Sequence, residues 1–238
     1  MKKMVNKTVL ITGTSKGIGF EIERLLSLKG YKTFGSGRTD IKKENYLSCD
    51  LSAKEGCEKL FEYAKKYLGH IDILINNAGE YTYSNIENTS YETLEHMAKL
   101  NFYAPYYLSS LVISDMKKNK WGRIVNIGSI SGVIGEGGAT LYSATKSMFL
   151  GFTKALALEV AEFGITVNTI NPGWVETELS KKGIEDSNLT YQDNIDVIPQ
   201  KRFIEPIEVG NLVYSLIQEE TKGLTGQSIN LCAGLSCG

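Results

Sequence analysis

Tyr142 and Lys146 stand four residues apart in Tyr142-Ser143-Ala144-Thr145-Lys146, a spacing that puts both side chains on one face of a helix. A tyrosine with an ordinary pKa of about 10 exchanges protons poorly at neutral pH, and moving it to about 7 takes roughly 4 kcal/mol. One positive charge at about 4 Å, with an effective dielectric near 20, supplies about that much. The pair therefore has the makings of a proton donor, although both residue types are common on helices. Thirteen residues before Tyr142, the β-branched run 122–128 ends in Gly128-Ser129-Ile130-Ser131. Ser129 is thereby expected at the carboxyl end of a strand, the edge where open α/β sheets bind ligands. Its hydroxyl could hydrogen-bond a carbonyl oxygen beside the phenol.

A second group of residues could hold phosphate. Thr12-Gly13-Thr14-Ser15-Lys16-Gly17-Ile18-Gly19 follows one predicted strand and opens a predicted helix. In that context Gly13 permits a tight turn, Gly17 lets the backbone approach a pyrophosphate, and Gly19 allows close helix–strand packing. The helix N-terminus adds free N–H groups and a partial positive charge. The next strand ends in Phe34-Gly35-Ser36-Gly37-Arg38-Thr39, without the acid that an NAD site places there. Arg38 can fork onto a 2′-phosphate, and Lys16 could approach the same group. Asp40 lies beyond Arg38 and is expected to point into the following loop. NADPH is the expected cofactor.

These groups need a scaffold that brings them to one edge. Runs 8–12, 32–36, 45–48, 71–76, 122–128, 165–170 and 227–231 read as strands, most of them apolar at nearly every position. Runs 17–28, 52–67, 91–116, 141–163 and 206–218 read as amphipathic helices. Strands of this kind, alternating with helices, predict a doubly wound, Rossmann-type α/β sheet of about seven parallel strands with helices on both faces. No linker or repeat divides the chain, so 1–238 is expected to be a single domain. The connection from Arg38 to Cys49 is too short for a full crossover helix. From Gly173 to Arg202 the periodicity fades while Trp174, Tyr191 and Pro199 gather, which predicts a substrate lid at about 174–202.

Composition narrows the function. Twenty-six Lys and Arg against 27 Asp and Glu leave a net charge of −1, with no field to collect nucleic acid or an anionic membrane. A hydrophobic content of 42% with 22% charged residues is that of a globular protein. No apolar run is long enough to span a bilayer, and the first one, Thr8-Val9-Leu10-Ile11, is too short for a signal peptide. Cys49, Cys57, Cys232 and Cys237 lack metal-ligand spacing, and His70 and His96 stand alone, so no metal is expected. A cytoplasmic enzyme is the expectation.

Taken together, Thr12-Gly13-x-x-x-Gly17-x-Gly19, Asn76-Asn77-Ala78-Gly79, Asn101, Ser129, Tyr142-x-x-x-Lys146 and Pro172-Gly173 resemble, in order and spacing, the short-chain dehydrogenase/reductase family. The resemblance runs from Lys7 to about Leu231. It implies a catalytic tetrad of Asn101, Ser129, Tyr142 and Lys146. Tyr142 would be the general acid in reduction and Ser129 would polarise the carbonyl. Lys146 would hold the nicotinamide ribose and lower the Tyr142 pKa, while Asn101 would hold a water linking Lys146 to solvent. The resemblance also implies NADP(H) contacts at Ser15, Ile18, Leu51, Asn77, Ala78, Gly79, Pro172, Gly173 and Val175, with Asp50 at the adenine and Thr177 near the carboxamide. Trp174 would join Ser129 and Tyr142 around the substrate.

Within the family, Trp121-Gly122-Arg123-Ile124-Val125-Asn126-Ile127-Gly128-Ser129, Gly164-Ile165-Thr166-Val167-Asn168 and Leu224-Thr225-Gly226-Gln227 look most like 3-oxoacyl-(acyl-carrier-protein) reductases. Three features depart from that pattern: the short connection after Arg38, the acidic and apolar run Leu158–Gly164, and Leu231-Cys232-Ala233-Gly234 in place of Asp-Gly-Gly. A small ketone, a sugar or another secondary alcohol is therefore an alternative to an acyl thioester carried on acyl carrier protein. A non-catalytic NADP(H)-binding regulator is an alternative from another class. The resemblance implies a homotetramer that shares the helices at 91–116 and 141–163.

Overall fold

The strands and helices alternate along the chain as β1 (Thr8–Ile11), α1 (Gly17–Leu28), β2 (Lys32–Gly37), β3 (Tyr46–Ser48), α2 (Lys54–Leu68) and β4 (Ile73–Asn76). They continue as α3 (Tyr91–Ala98), α4 (Ala104–Asn119), β5 (Gly122–Ile127), α5 (Ser131–Ile134), α6 (Thr140–Val160) and β6 (Ile165–Pro172). The last elements are α7 (Glu178–Ser187), α8 (Tyr191–Asp196), α9 (Pro206–Leu216) and β7 (Ser228–Leu231). The computed structural model describes residues 7–187 and 189–237. All seven strands run parallel in the order β3-β2-β1-β4-β5-β6-β7.

Successive residues of the central strands face opposite sides, and each side has its own core. Val9, Ile11, Ile73, Ile75, Val125 and Ile127 pack with Ile22 and Leu26 of α1 and Val209, Val213 and Leu216 of α9. Leu10, Leu74 and Ile124 pack on the other side with Leu60 of α2, Leu108, Val112 and Met116 of α4, and Val160 of α6. Fully burying each of these side chains contributes about 1.5–3 kcal/mol. The two buried faces explain why the strands read as continuous apolar runs.

The switch of direction falls between β1 and β4, since β2 and β3 lie to one side of β1 and the remaining strands to the other. The carboxyl ends of β1 and β4 thus open the crevice in which such sheets bind nucleotides. No helix separates β2 from β3, as the short connection predicted; Tyr46 instead donates its hydroxyl to the Thr39 carbonyl at 2.9 Å.

Two predicted segments differ in form. The run 91–116, read as one helix, is interrupted by a π-helical turn at Lys99–Tyr103 and continues to Asn119. The wider turn inserts a residue without breaking the apolar face and turns Asn101 fully inward. Segment 174–202, read as aperiodic, holds the two short helices α7 and α8. Local hydrogen bonds start α8: Thr190 and Asp193 form a reciprocal cap, which a search for apolar periodicity overlooks.

Candidate active site

The loop after β1 turns at Gly13 and Gly17, whose φ angles of +74° and +60° lie in the left-handed region. A Cβ on Gly19 would stand 2.2 Å from the Gly13 carbonyl oxygen and 2.4 Å from the Asn77 amide nitrogen. The loop is laced to the end of β4. Asn77 Nδ2 donates to the carbonyls of Thr12 and Gly13 at 2.8 and 3.1 Å. The backbone N–H groups of Asn77 and Ala78 in turn donate to Thr12 Oγ1 at 3.0 and 2.9 Å. The Asn77 side chain therefore builds the loop. No side chain among the described residues caps the N-terminus of α1, which leaves its first N–H groups for a ligand. This uncapped helix start behind a glycine turn fits the pyrophosphate of a dinucleotide.

The other expected cofactor residues divide by what their side chains do. Leu51 and Val175 are buried and pack in the two cores on opposite sides of the sheet. Ile18 packs against the same core as α1. Ser15 lies against the end of β2, where a Cβ on Gly37 would come within 3.2 Å of its hydroxyl. Asp50 accepts from the backbone N–H and hydroxyl of Ser52 at 2.9 and 2.8 Å, bonds that hold its carboxyl below the usual range. Thr177 starts α7, accepting from Ser180 N–H at 3.2 Å, and its methyl carbon would lie 3.4 Å from a Cβ on Gly17. The buried Pro172 ends β6, and Gly173 N–H donates to Leu231 at 2.9 Å.

Both basic side chains read as phosphate ligands are exposed and paired. Arg38 reaches Glu80 at 3.4 Å, and Lys16 reaches Glu178 at 2.5 Å. Asp40 is exposed in the connection beyond Arg38.

Asn101, Ser129, Tyr142 and Lys146 come from the π-helical turn, the end of β5 and the first turns of α6. A ladder of buried polar groups sets α6 against the sheet: Asn76 donates to Asn126 at 2.8 Å, and Asn126 to Thr153 at 3.3 Å. Thr153 and Thr169 close the ladder at 2.6 Å. Asn101 donates to the Glu80 carbonyl and Thr145 Oγ1 at 3.0 and 3.1 Å and accepts from Glu80 N–H at 2.9 Å. It thus clamps the segment after β4 to α6. A Cβ on Gly79 would meet Asn101 Oδ1 at 3.2 Å and Lys146 Nζ at 3.3 Å, so these two groups converge behind that glycine.

The expected effect of Lys146 on Tyr142 is not found in the protein alone. The ammonium donates to the Ile127 carbonyl at 2.9 Å, and its nitrogen lies 5.8 Å from the centre of the phenol ring. Burial pushes Tyr142 up to about 12; the Ser129 hydroxyl pulls it back in part, and Glu136 adds to the rise. Burial pulls Lys146 down to about 8. The phenol is consequently protonated at neutral pH.

Ser129, Tyr142, Gly173 and Trp174 share the wall of a cleft of about 260 Å³. Trp174 is fixed there by stacking on Phe203, with ring centres 5.7 Å apart and planes 18° apart. The cleft is completed by residues the sequence reading missed, among them Tyr81, Tyr83, Ser131, Glu136 and Asn194. Tyr81 meets Tyr142 edge-on at 4.9 Å between ring centres. Its position directly after Asn76-Asn77-Ala78-Gly79-Glu80 is the one sequence signal that could have placed it here. Burial pushes the Cys49 and Cys57 thiols up to about 11 and about 12, in keeping with inert small side chains.

A parallel doubly wound sheet with an uncapped glycine turn at its switch point defines a dinucleotide-binding fold. The chain belongs to the short chain dehydrogenase family, whose profile matches residues 7–188. It is 38% identical to a 3-oxoacyl-[acyl-carrier-protein] reductase, FabG, of Buchnera aphidicola subsp. Schizaphis graminum, over 98% of each chain. It is also 31% identical to a D-beta-hydroxybutyrate dehydrogenase of Cupriavidus necator, over 96% of this chain and 97% of that one. Among solved structures, the aldohexose dehydrogenase of Thermoplasma acidophilum in ligand-free form matches with a TM-score of 0.90 and 28% identity, over 98% of this chain and 95% of that one. Each relative is named for an enzyme, and the non-catalytic alternative gains no support. No helix among the described residues is long and apolar enough to cross a membrane.

Proposed function

We propose that this chain is an NADP(H)-dependent reductase that moves a hydride between the nicotinamide and a carbonyl or secondary alcohol, with Tyr142 as general acid. One observation carries the reading: Tyr142 and Ser129 line one cleft while Lys146 and Asn101 converge behind Gly79, next to the glycine loop. A bound nicotinamide dinucleotide supplies the hydride, and the protein supplies a proton and orientation. Tyr142 gives its phenolic proton to the substrate oxygen, and Ser129 turns its hydroxyl from Ser131 toward that oxygen. Lys146 holds the nicotinamide ribose, and Asn101 keeps the proton path from Lys146 open to solvent.

Arg38 and Lys16 support NADP(H) over NAD(H), because both flank the loop and no acid ends β2. Their carboxylate partners are exposed, and exposed ion pairs hold weakly in water, so a 2′-phosphate can displace them. A 3-oxoacyl thioester on acyl carrier protein is the first substrate to test, given the similarity to a reductase of that name. A small ketone or sugar is the second, supported by the altered tail at Cys232-Ala233 and the likeness to an aldohexose dehydrogenase. Segment 174–202 acts as the lid over this cleft. The exposed Tyr103 and Tyr106 beside Phe102 and Phe152 suit a homotetramer face, and the cytoplasm is the proposed compartment. The test is oxidation of NADPH with a panel of ketones that includes an acetoacetyl thioester. Nucleotide binding without oxidation by any ketone contradicts the reading.

A further inference from the structure

The loop 135–138 carries a carboxylate into the cleft. Glycines bracket it: Gly135 and Gly138 both turn with φ of +77°, and Gly138 has no room for a side chain, since a Cβ would meet the Tyr83 ring at 2.4 Å. The loop is tied to the segment after β4, where Ser84 N–H donates to the Gly138 carbonyl at 2.6 Å. Glu136 is then fixed at both oxygens. Tyr81 donates its hydroxyl to Oε1 at 2.8 Å, and Ser131 donates to Oε2 at 2.6 Å. Ser131 is in turn the partner of Ser129, at 3.1 Å between hydroxyls. The carboxylate therefore stands two hydrogen bonds from the hydroxyl that faces the substrate oxygen, and Tyr81 ties it to the ring of Tyr142.

Among the described residues that line this cleft, Glu136 alone carries a charge, and no lysine or arginine is present. A carboxylate offers about four acceptor sites, of which the protein fills two here. Its remaining capacity faces a pocket whose other polar groups are hydroxyls and amides. A ligand donor completes such a site, whereas a ligand carboxylate meets like charge in a place with no cation to offset it.

We propose that Glu136 selects the substrate: it accepts a hydrogen bond from a hydroxyl a few bonds from the reacting carbonyl and turns away substrates with a carboxylate there. The substrate class is a hydroxylated ketone or sugar-like carbonyl compound. This rests on the carbonyl-reductase reading above and chooses between its two substrate classes.

The test compares kcat/KM within two matched pairs. In the first, 4-hydroxy-2-butanone carries a hydroxyl where 2-pentanone carries a methyl. In the second, acetoacetate carries a charge that methyl acetoacetate lacks. The wild-type protein should favour the hydroxyl member and the ester by at least tenfold each, as a site built to pair with a donor discriminates against its absence. Glu136→Gln should keep NADPH affinity while relieving the rejection of acetoacetate by at least tenfold. Tyr81→Phe keeps the charge but frees the carboxylate, so it should shrink the hydroxyl preference and leave acetoacetate rejected; it also serves should Glu136→Gln fail to fold. Ratios that are flat in the wild type, or unchanged in both variants, overturn the proposal while ketone reduction stands. No turnover of any of the four ketones overturns the proposal, and the carbonyl-reductase reading falls with it only when the acetoacetyl thioester is not reduced either.

Discussion

The cofactor cradle and the substrate cleft share the carboxyl edge of one sheet, yet they are built in opposite ways. The cradle presents backbone to the ligand, glycine turns and an uncapped helix start, and the side chains of Thr12 and Asn77 lace it to the end of β4. The cleft is side chain, gathered mainly from the segment after β4, the ends of β5 and β6, the loop 135–138, α6, α7 and α8. A cradle of this kind fails when atoms are added and, outside the Thr12 and Asn77 lacing, tolerates changes in nearby side-chain chemistry. A cleft of this kind tolerates changes in bulk at its rim and fails when one polar atom is lost.

The sharpest way to break that contrast is to add one methyl group to the cradle. Gly19→Ala sets a Cβ against the Gly13 carbonyl, where backbone has no room to move. NADPH affinity measured by fluorescence titration should fall at least a hundredfold. Affinity within threefold of wild type would show that the loop is pliable and the contrast false.

In the cleft, the corresponding change removes one oxygen. Ser129→Ala should lower kcat by about 10²-fold, the range for one lost oxyanion-type donor, and leave the NADPH dissociation constant where it was. A variant that loses nucleotide affinity instead would assign Ser129 to the cradle.

The pH profile separates the two directions of reaction. With Tyr142 pushed up to about 12, the phenol stays protonated across the neutral range. Alcohol oxidation, which needs the phenolate as base, should therefore speed up steadily as pH rises above neutral, whereas ketone reduction should not. Lys146, pulled down to about 8, loses its charge over the same range, so affinity for the nucleotide should weaken above that pH. An oxidation rate independent of pH between neutral and alkaline solution would remove Tyr142 from the proton path.

The smallest effects belong at the exposed end of the cradle. NADPH should bind at least tenfold tighter than NADH, and Arg38→Ala should narrow the gap. Glu80→Gln releases Arg38 from its 3.4 Å partner and should widen the gap by a few fold. Equal affinity for the two nucleotides in the wild-type protein would contradict the assignment of Arg38.

The same contrast explains what was legible in the sequence. Seven strands and the glycine turn follow from local rules, apolar runs and residues without side chains, so their boundaries lie within two residues of those expected. The π-helical turn at Asn101 left no mark, because one extra residue keeps the apolar face of 91–116 intact. Helices α7 and α8 were missed because few of their side chains are buried and their starts depend on Thr177, Thr190 and Asp193. The set Asn101, Ser129, Tyr142 and Lys146 was implied by the family resemblance. The contacts of individual atoms were not legible: Lys146 faces the Ile127 carbonyl, Asn77 builds the loop, and Glu136 reaches Ser131 and Tyr81 across turns that no periodicity describes.

Tyr142 is the proposed acid, and the most direct test removes its oxygen alone. Tyr142→Phe keeps the ring against Tyr81 and takes away the proton, so kcat should fall by 10²-fold or more while NADPH binds as in the wild type. Measured in single turnover, so that chemistry is observed directly, retention of more than a tenth of the wild-type rate would contradict the account and require another donor in the cleft.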